Sequence, residues 1–475
     1  MLVALVPPDA APIERIRSSH PMRRHDPGRS TRHRLLVLAT SVFALSACAT
    51  YTPRRLPAQT DLKETVEAIS VNPDTLKIPP LKGMVFNAAD GLDMTEIATL
   101  AVVNNPQLKT ERDNVSVARA QLLDARLLPD PQFSLSADRP TDQGPGLTDA
   151  YGVGLNYNLA RILSRGARVD AADASKAQVQ LNLMWKEWQV AQQARSIYVN
   201  LQFLQKKRRL LQRVQSMYAQ RYSHSARALK QGNLTLDVAG TDLTALLDVN
   251  TRLSQTKQAQ NKARHDLNKL LGLAPEARPV LTAGGRAQTP EDVEKLLETI
   301  AQRRPDLLAL RAGYQSQEAR IRQAILAQFP SISVGISRAR DTSDVHTTGL
   351  SLSLNLPLFN GNRGQIAVQR ATRSQLHQAY QARLDETKGN VDMLRNQFRL
   401  QSRQLKRVKS NLPELERMVD LARAAYESRD IGALTYLNMQ NTLVSKQIEQ
   451  ANLEKSTWDT RIALDTLLGA SSWDN

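Results

Sequence analysis

The feature that most restricts the fold is a stretch of about 65 residues, from Gly166 to Lys230, that contains no proline and no further glycine. As a single α-helix it would be roughly 95 Å long, at 1.5 Å per residue. Apolar side chains recur along it at the spacing of a narrow coiled-coil stripe, formed by Ile197, Leu201, Leu204, Leu211, Val214 and Tyr218. A compact globular domain has no room for such a helix, so we predict long helices packed side by side.

Each long helix is expected to turn back on itself. Gly232 and Asn233 break the first one, and a returning helix about half as long follows. The same pattern recurs later in the chain, where Pro413 is expected to interrupt and bend the helix. The further predicted helices are Thr235–Leu271, Arg363–Asp430 and Leu434–Leu468. The sequence therefore predicts two long helical hairpins with tips near Gly232 and Gly432.

The chain repeats itself at an offset of about 200 residues. Four short motifs recur in the same order: Asn105-Pro106-Gln107-Leu108 as Arg304-Pro305-Asp306-Leu307, Leu159 with Arg165-Gly166 as Leu358 with Arg363-Gly364, Gly232-Asn233-Leu234-Thr235 as Gly432-Ala433-Leu434-Thr435, and Leu270-Leu271-Gly272 as Leu467-Leu468-Gly469. A period this long is not that of a solenoid of small repeats. We predict two structural repeats, residues 92–290 and 291–470, each with a helix, two strands, a long helix, a tip and a return helix. Residues 471–475 form a tail.

Two pairs of short strands are predicted, one pair in each repeat. Apolar residues alternate strictly with small polar residues, which puts the apolar side chains on one face. The four segments are 132–138, 151–159, 331–337 and 350–358. Such strands suit a membrane barrel with lipid outside and water inside, although a sheet packed on a soluble core gives a similar pattern.

If these strands face lipid, one chain cannot complete the barrel. The smallest membrane barrels have about eight strands. An open strand edge in lipid leaves N–H and C=O groups unpaired, at a cost of several kcal/mol for each group. We therefore expect a barrel that is shared between several chains.

The N-terminal region has the pattern of an exported lipoprotein. A run of arginines precedes the apolar segment 35–44, and Leu45-Ser46-Ala47-Cys48 resembles the lipobox of bacterial lipoproteins. Residues 1–47 are predicted to be a signal peptide, with translation starting at Met1 or Met22. Cys48 is then the lipidated residue of an extended segment, 48–91. An ordinary signal peptide with a chance cysteine is the alternative.

Composition and motifs argue against several other classes of protein. No apolar run reaches the roughly 18 residues of a spanning helix. Lys and Arg exceed Asp and Glu by 17 charges, but the basic residues lie among acidic ones in helical segments, so no nucleic-acid partner is expected. The single cysteine and the seven scattered histidines form no metal-ligand pattern. No nucleophile or phosphate-loop motif occurs either. We expect no catalytic residues, no cofactor and no metal, and hence no enzyme.

The ordered motifs resemble those of TolC-like outer membrane efflux proteins. The duplicated helix starts, the paired strands, the turn Pro357–Gly364 into a long helix and the hairpin tips carry the resemblance, which covers roughly residues 90–470. Within Pro357–Gly364, the strand-to-helix turn depends on Pro357, Gly361 and Gly364.

The resemblance implies a mainly α fold with transmembrane β structure. Three chains would give four strands each to a 12-stranded barrel, and their coiled-coil hairpins would form a periplasmic tunnel.

The function that the resemblance implies is a passive exit duct of a tripartite efflux or secretion system. Its partners are then a periplasmic adaptor, an inner-membrane pump and outer membrane lipid. The lipobox matches the branch of the family that is paired with RND-type pumps. The resemblance also implies that residues 49–91 follow the outside of the helices, and that the loops near Gln143–Pro145 and Asp341–Asp344 lie outside the cell.

The resemblance also locates a gate at the inner hairpin tips. Members of the family commonly carry an acidic residue where this chain has Asn438, and Asn441 on the same helix face is also neutral. Other candidates near the tips are Tyr436, Arg429, Asp430, Asp237 and Asp242. Neutral rings would weaken cation selectivity and remove like-charge repulsion. Alternatively, these side chains only cap helices or bond neighbouring hairpins.

Two other functions stay open from the sequence. The chain could be a periplasmic coiled-coil adaptor or scaffold lipoprotein without a channel, although duplicated alternating strands argue against it. It could also be a lipid-anchored enzyme, but no converging catalytic residues are seen. The sequence does not name the transported substrate.

Overall fold

The computed structural model describes residues 51–71, 78, 81, 86–87, 90–141, 144, 146–282, 287 and 293–469. The chain divides into two units, residues 1–60 and 61–475. Residues 51–60, the described part of the first unit, are exposed and form no helix or strand. The predicted signal peptide 1–47 with Met22, the lipidation site Cys48, the loop residues Gln143 and Pro145 and the tail 471–475 lie outside the described residues.

Helices dominate the second unit, and the order of elements is the same in its two halves. The first half contains α1 (Met94–Asn104), α2 (Pro106–Arg126), β1 (Gln132–Asp138), β2 (Ala150–Asn158), α3 (Ala160–Leu163), α4 (Arg165–Lys230) and α5 (Leu236–Leu271). The second contains α6 (Val293–Glu298), α7 (Ile300–Arg303), α8 (Pro305–Leu326), β3 (Ser331–Arg340), β4 (His346–Asn355), α9 (Arg363–Glu427) and α10 (Ala433–Leu468). Among these helices, none combines the length and the apolar content that crossing a membrane requires.

The predicted long helices are confirmed, with 66 residues in α4 and 65 in α9. The expectation that Pro413 interrupts the second one is wrong, because α9 continues on both sides of it. A proline removes one backbone hydrogen bond from the helix. α9 packs against both α8 and α10, and these contacts offset that loss.

The single helix expected at the start of the first repeat is instead two helices that meet at Asn105 and Pro106. Asn105 has φ −56° and ψ 124°, outside the helical region that residues before proline avoid. Its side-chain oxygen accepts hydrogen bonds from the N–H groups of Gln107 and Leu108, at 2.9 and 3.1 Å, and so caps α2. Its amide group donates to the Leu270 carbonyl at 2.9 Å, which ties the junction to the end of α5.

The four strands form one antiparallel sheet in the order β1-β2-β3-β4, which leaves β1 and β4 as edges. The fourth strand differs from the expected segment 350–358, because it begins at His346 and ends at Asn355. Pro357 lacks the N–H group that a longer strand would need. The hairpin between β3 and β4 is fixed by Asp341, whose carboxylate accepts from the N–H groups of Ser343 and Val345 at 2.9 and 3.0 Å.

The helices pack closely through small side chains, which explains how a chain with 4% aromatic residues buries a core. Ala98, Ala101, Ala191 and Ala194 on α1 and α4 are fully buried. The predicted stripe on α4 is buried from Leu201 to Tyr218, while Ile197 is half-buried at its end. The segment that precedes α1 joins this core, since Lys63 exchanges backbone hydrogen bonds with Gly272 and Ala274, at 3.0 and 2.8 Å.

Candidate functional site: the tips of the helical hairpins

The first tip is closed by a glycine in the left-handed conformation. Gly232 has φ +73°, and it follows the last turn of α4. The Gly232 N–H group donates to the Leu229 carbonyl at 3.0 Å, and the Asn233 N–H group donates to the Ala228 carbonyl at 2.8 Å. These two bonds form a Schellman motif, which ends a helix and satisfies its last carbonyl groups.

The second tip has the same bonds but an arginine in the place of that glycine. Arg429 has φ +69°, and its N–H group donates to the Tyr426 carbonyl at 3.1 Å. The Asp430 N–H group donates to the Ala425 carbonyl at 2.8 Å. A left-handed conformation costs an ordinary residue roughly 1–2 kcal/mol. The second tip is therefore held in a less favourable backbone conformation than the first.

The predicted equivalence of Gly232 and Gly432 is wrong. Gly432 lies in the second tip, but it has φ −72° and is the N-cap of α10. Its counterpart in the first tip is Thr235, the N-cap of α5. The helices α4 and α9 end at Lys230 and Glu427, 197 residues apart, whereas the glycines are 200 apart. The short sequence match therefore aligned the two tips three residues out of register.

Near the tips, α10 packs against α4, and one apolar cluster joins residues of α4, α5 and α10. Leu437 is buried in an apolar cluster with Leu211, Val214, Tyr218, Val249 and Leu253. At its edge the Tyr218 hydroxyl donates a hydrogen bond to the side-chain oxygen of Asn441. Burial raises the pKa of Tyr218, so the hydroxyl remains a donor at neutral pH. Asn441 is thus a partner of the first hairpin within the same chain.

The two candidate aspartates on α5, Asp237 and Asp242, differ in their surroundings. Asp242 is buried and accepts a hydrogen bond from Arg221 Nε at 2.6 Å, so its charge is neutralised inside the first hairpin. Asp237 is exposed in the first turn of α5. A hydrogen bond from the Thr235 hydroxyl lowers the pKa of Asp237, which stays ionised near the tip. Of these two, therefore, Asp237 is the one that offers an exposed negative charge.

The residues on the second hairpin do not form one cluster. Asn438 is exposed, one residue beyond the buried Leu437. Asp430 accepts from the Ser428 hydroxyl at 2.5 Å within the tip turn. Tyr436 stacks on Tyr426 with ring centroids 5.4 Å apart. The candidates of this hairpin thus divide between the turn, the exposed face and a contact between α9 and α10.

The contacts of Tyr436 include residues that the sequence did not single out. Its hydroxyl oxygen accepts a hydrogen bond from Arg423 Nε at 3.2 Å, and a second one from the side-chain amide of Gln440. Together with the stacked ring of Tyr426, they tie the end of α9 to the start of α10. A sequence signal existed, because Tyr436 and Gln440 are four residues apart on one helix face.

The strand-to-helix turn after β4 uses its glycines unequally. Gly361 has φ +47° and Asn362 has φ +55°, so two consecutive residues are left-handed. The side-chain amide of Asn362 donates to the Ala324 carbonyl at 2.7 Å and joins the turn to the end of α8. The Gly361 N–H group donates to the Pro357 carbonyl at 3.2 Å. Gly364 lies within α9, where no left-handed angle is required.

Sequence reasoning missed three charged networks between the helices. The first is buried and joins Arg195 on α4 to Asp465 and Arg461 on α10, at 3.1 Å for Arg195–Asp465 and 2.8 Å for Arg461–Asp465. The second surrounds Arg304, which has no exposed surface. The third joins Glu454 on α10 to Lys206 and Lys409, each at 2.8 Å. Burial would raise the pKa of Glu454, but the two lysines outweigh burial and lower the pKa to about 2.

The third network borders a cavity of about 480 Å³ between α4, α9 and α10. Its lining includes the aromatic residues Tyr198, Phe203 and Trp458 and the charged residues Lys206, Lys409 and Glu454. Within the described part of the chain, no three His, Cys, Asp or Glu side chains lie close enough to hold a metal ion. The arrangement offers charged and aromatic surface rather than a set of reacting groups.

Comparison with known proteins relates this arrangement to a family. Residues 296–470 match the model of the family described as outer membrane efflux protein. The cobalt-zinc-cadmium resistance protein CzcC of Cupriavidus metallidurans is 22% identical over 80% of this chain and 91% of its own length. The pyoverdine export outer membrane protein OpmQ of Pseudomonas putida is 24% identical over 74% of this chain and 80% of its own length.

The fold has solved counterparts. The crystal structure of the Campylobacter jejuni CmeC outer membrane channel superposes with a TM-score of 0.68 at 14% identity, over 89% of this chain and 95% of that one. These matches favour a channel and give no support to the alternative of an adaptor or scaffold without one. Over residues 296–470 the chain matches the outer membrane efflux protein family, and its fold is that of solved outer membrane channels.

Proposed function

We propose that three copies of this chain form the exit duct of a tripartite export system. The observation that carries the proposal is the four-stranded sheet with two open edges, β1 and β4. Leu350, Leu352 and Phe133 on these edge strands are each at least 65% exposed. Apolar side chains beside unpaired backbone groups are stable in lipid only if another chain pairs with each edge. Three sheets joined edge to edge would give twelve strands.

The expected pairing can be tested by cysteine cross-linking. Within one chain, β1 and β4 are separated by two strands, roughly 14 Å at 4.8 Å per strand. We expect Ser134→Cys combined with Ser351→Cys or Ser353→Cys to cross-link between chains in isolated outer membranes. Denaturing gels should then show covalent dimers and trimers, because each chain offers both edges.

A matched control uses an inner strand. Ser134→Cys combined with Ser333→Cys on β3 should give no cross-linked trimer, since β3 is already paired on both sides. The only native cysteine, Cys48, is present in every variant, so any cross-link through it would occur equally in the edge-strand pair and in the control. If no pair of edge positions yields oligomers, or if the inner-strand pair does so equally, the shared barrel is refuted.

The anchor and the partners follow from the same proposal. Cys48 would carry the lipid that holds the N-terminus in the membrane, and the hairpin tips would face a periplasmic adaptor and an inner-membrane pump of the RND type. The duct would be passive, without catalytic residues or a cofactor. Because CzcC is named for metal resistance and OpmQ for pyoverdine export, we infer that the pump rather than the duct selects the substrate.

At the tips, we propose that Asn438 makes the gate less cation-selective than a ring of carboxylates would. Its side chain is exposed, so three copies around an axis could face the pore. Asn438→Asp is expected to raise the ratio of cation to anion permeability severalfold, since rings of acidic side chains favour cations in channels. The measurement is the reversal potential of single channels in planar bilayers under a salt gradient.

Asn438→Ala serves as the control for this prediction. It changes the same position without adding charge, so the permeability ratio should match that of the parent channel. An unchanged ratio in Asn438→Asp would place this side chain away from the ion path. Asn438 would then serve only to form hydrogen bonds between neighbouring hairpins.

A further inference from the structure

The apolar face of the sheet ends in a row of basic residues. Register puts Ile336 opposite Leu155 and Leu350, so these side chains lie on the same face. One step further along β3, Arg338 lies opposite Val153 and Thr348. Arg338 is therefore on the apolar face, about 7 Å beyond Ile336 at 3.3 Å per residue.

Other charged groups surround this position at the hairpin end of the sheet. Arg340 lies on the same face, opposite Tyr151 and His346. Its Nε atom is 2.5 Å from the Asp344 carboxylate. On the β1 side, Arg139 makes two hydrogen bonds to the Asp149 carboxylate, at 3.2 and 3.1 Å.

Arg338 is the exception among these arginines. It is exposed and has no ion pair or side-chain hydrogen bond within the described part of the chain. The nearby carboxylates, Asp149 and Asp344, are already engaged by Arg139 and Arg340. An unpaired guanidinium on a lipid-facing surface is unfavourable, and the cost falls toward the interface. An anion at the lipid headgroup level would remove that cost.

The hairpin end also has a definite side. In an outer membrane channel whose helices lie in the periplasm, the strand ends that continue into helices face inward. The ends joined by hairpins, where Arg338 lies, then face the outer leaflet. This leaflet consists of phosphorylated glycolipid, and guanidinium groups bind phosphate with paired hydrogen bonds.

We propose that Arg338, with Thr348 beside it, binds a phosphate group of the outer-leaflet glycolipid on the outside of the barrel. The inference rests on the proposed function, because it requires that the apolar face contact lipid. Arg338 would supply the guanidinium and Thr348 a hydroxyl, while Ile336 and Leu350 contact the acyl chains below the phosphate.

Native mass spectrometry of the full-length protein in detergent can test this. The trimer would be titrated with lipid A carrying two phosphates, and separately with the same lipid after enzymatic dephosphorylation. EDTA would be present to exclude bridging by divalent cations. We expect Arg338→Gln to weaken binding of the phosphorylated lipid about fivefold to tenfold, and binding of the dephosphorylated lipid hardly at all. Arg338→Lys should retain part of the preference.

The control is Arg370→Gln, which removes an exposed arginine on α9 that makes no ion pair among the described residues. It should leave lipid binding unchanged. The proposal is overturned if Arg338→Gln binds both lipids like the parent protein, or if millimolar inorganic phosphate displaces the lipid completely. The same spectra report the oligomer: an intact trimer without phosphate preference refutes this inference alone, whereas the absence of a trimer refutes the proposed duct as well.

Discussion

Replacing Asp465 with asparagine is expected to destabilise the protein by about 3–5 kcal/mol. Asp465 is 1% exposed and accepts hydrogen bonds from two arginines, Arg195 at 3.1 Å and Arg461 at 2.8 Å. Burial lowers the pKa of Arg195, which reflects the unfavourable surroundings that the carboxylate offsets. Asparagine has almost the same size, so the variant removes the carboxylate charge that both buried guanidinium groups share. Urea denaturation followed by tryptophan fluorescence would measure the loss.

Asp459→Asn on the same helix is the matched control. Asp459 pairs with Lys455 at 2.6 Å, but both side chains are about a third exposed. Exposed ion pairs contribute about 1 kcal/mol or less to the free energy of unfolding, so Asp459→Asn should reduce it only slightly. If Asp465→Asn lowered the free energy of unfolding no more than Asp459→Asn does, the buried side chains of Arg195, Arg461 and Asp465 would not form an ionised network.

The local elements could be predicted from the sequence because their signals are local. Alternation over Phe133–Ala137 fixed the face of β1, and the absence of glycine and proline fixed the length of α4. The tips show the limit of such reasoning. A match of Gly232 with Gly432 cannot distinguish a C-terminal glycine in the left-handed conformation from an N-cap, because that difference lies in the backbone angles.

The charged networks could not be predicted because they join distant parts of the chain. Arg195 and Asp465 are 270 residues apart, so in this network only the pair Arg461 and Asp465, four residues apart on α10, has a local signal. The gate candidates show the same problem. Asp242 and Asn441 have the residue types of a pore lining, but contacts with Arg221 and Tyr218 bind them to other helices. Burial, which the sequence pattern did not reveal, separates them from the exposed Asn438.

The two repeats satisfy the last carbonyl groups of their return helices, α5 and α10, in two different ways. In each half, a return helix ends where a helix–proline junction begins. In the first half, the amides of Asn104 and Asn105 donate to the Leu271 and Leu270 carbonyls, at 2.7 and 2.9 Å. In the second, Arg304 Nη1 donates to the Leu467 carbonyl at 3.3 Å. A neutral amide satisfies the helix end in one half, and a cation interacts with its negative dipole in the other.

This difference predicts unequal effects of equivalent substitutions. Arg304→Met should cost about 3–5 kcal/mol, because Arg304 is fully buried and also donates to Asp306 and to the Thr387 hydroxyl at 2.8 Å. Burial alone would raise the pKa of Asp306, but Arg304 and Arg383 keep it below its usual value. Asn105→Ala, which removes one cap and one neutral hydrogen bond, should cost about 1–3 kcal/mol.

Two further variants separate charge from geometry at this junction. Arg304→Lys keeps the charge, but an ammonium group cannot span Asp306, Thr387 and the Leu467 carbonyl, so most of the loss should remain. Arg383→Met removes the half-exposed second partner of Asp306 and should cost about 1 kcal/mol. If Arg304→Lys were as stable as the parent protein, charge alone would hold α8 to the end of α10. If Arg383→Met lowered the free energy of unfolding as much as Arg304→Met does, the burial of Arg304 would contribute nothing further to stability.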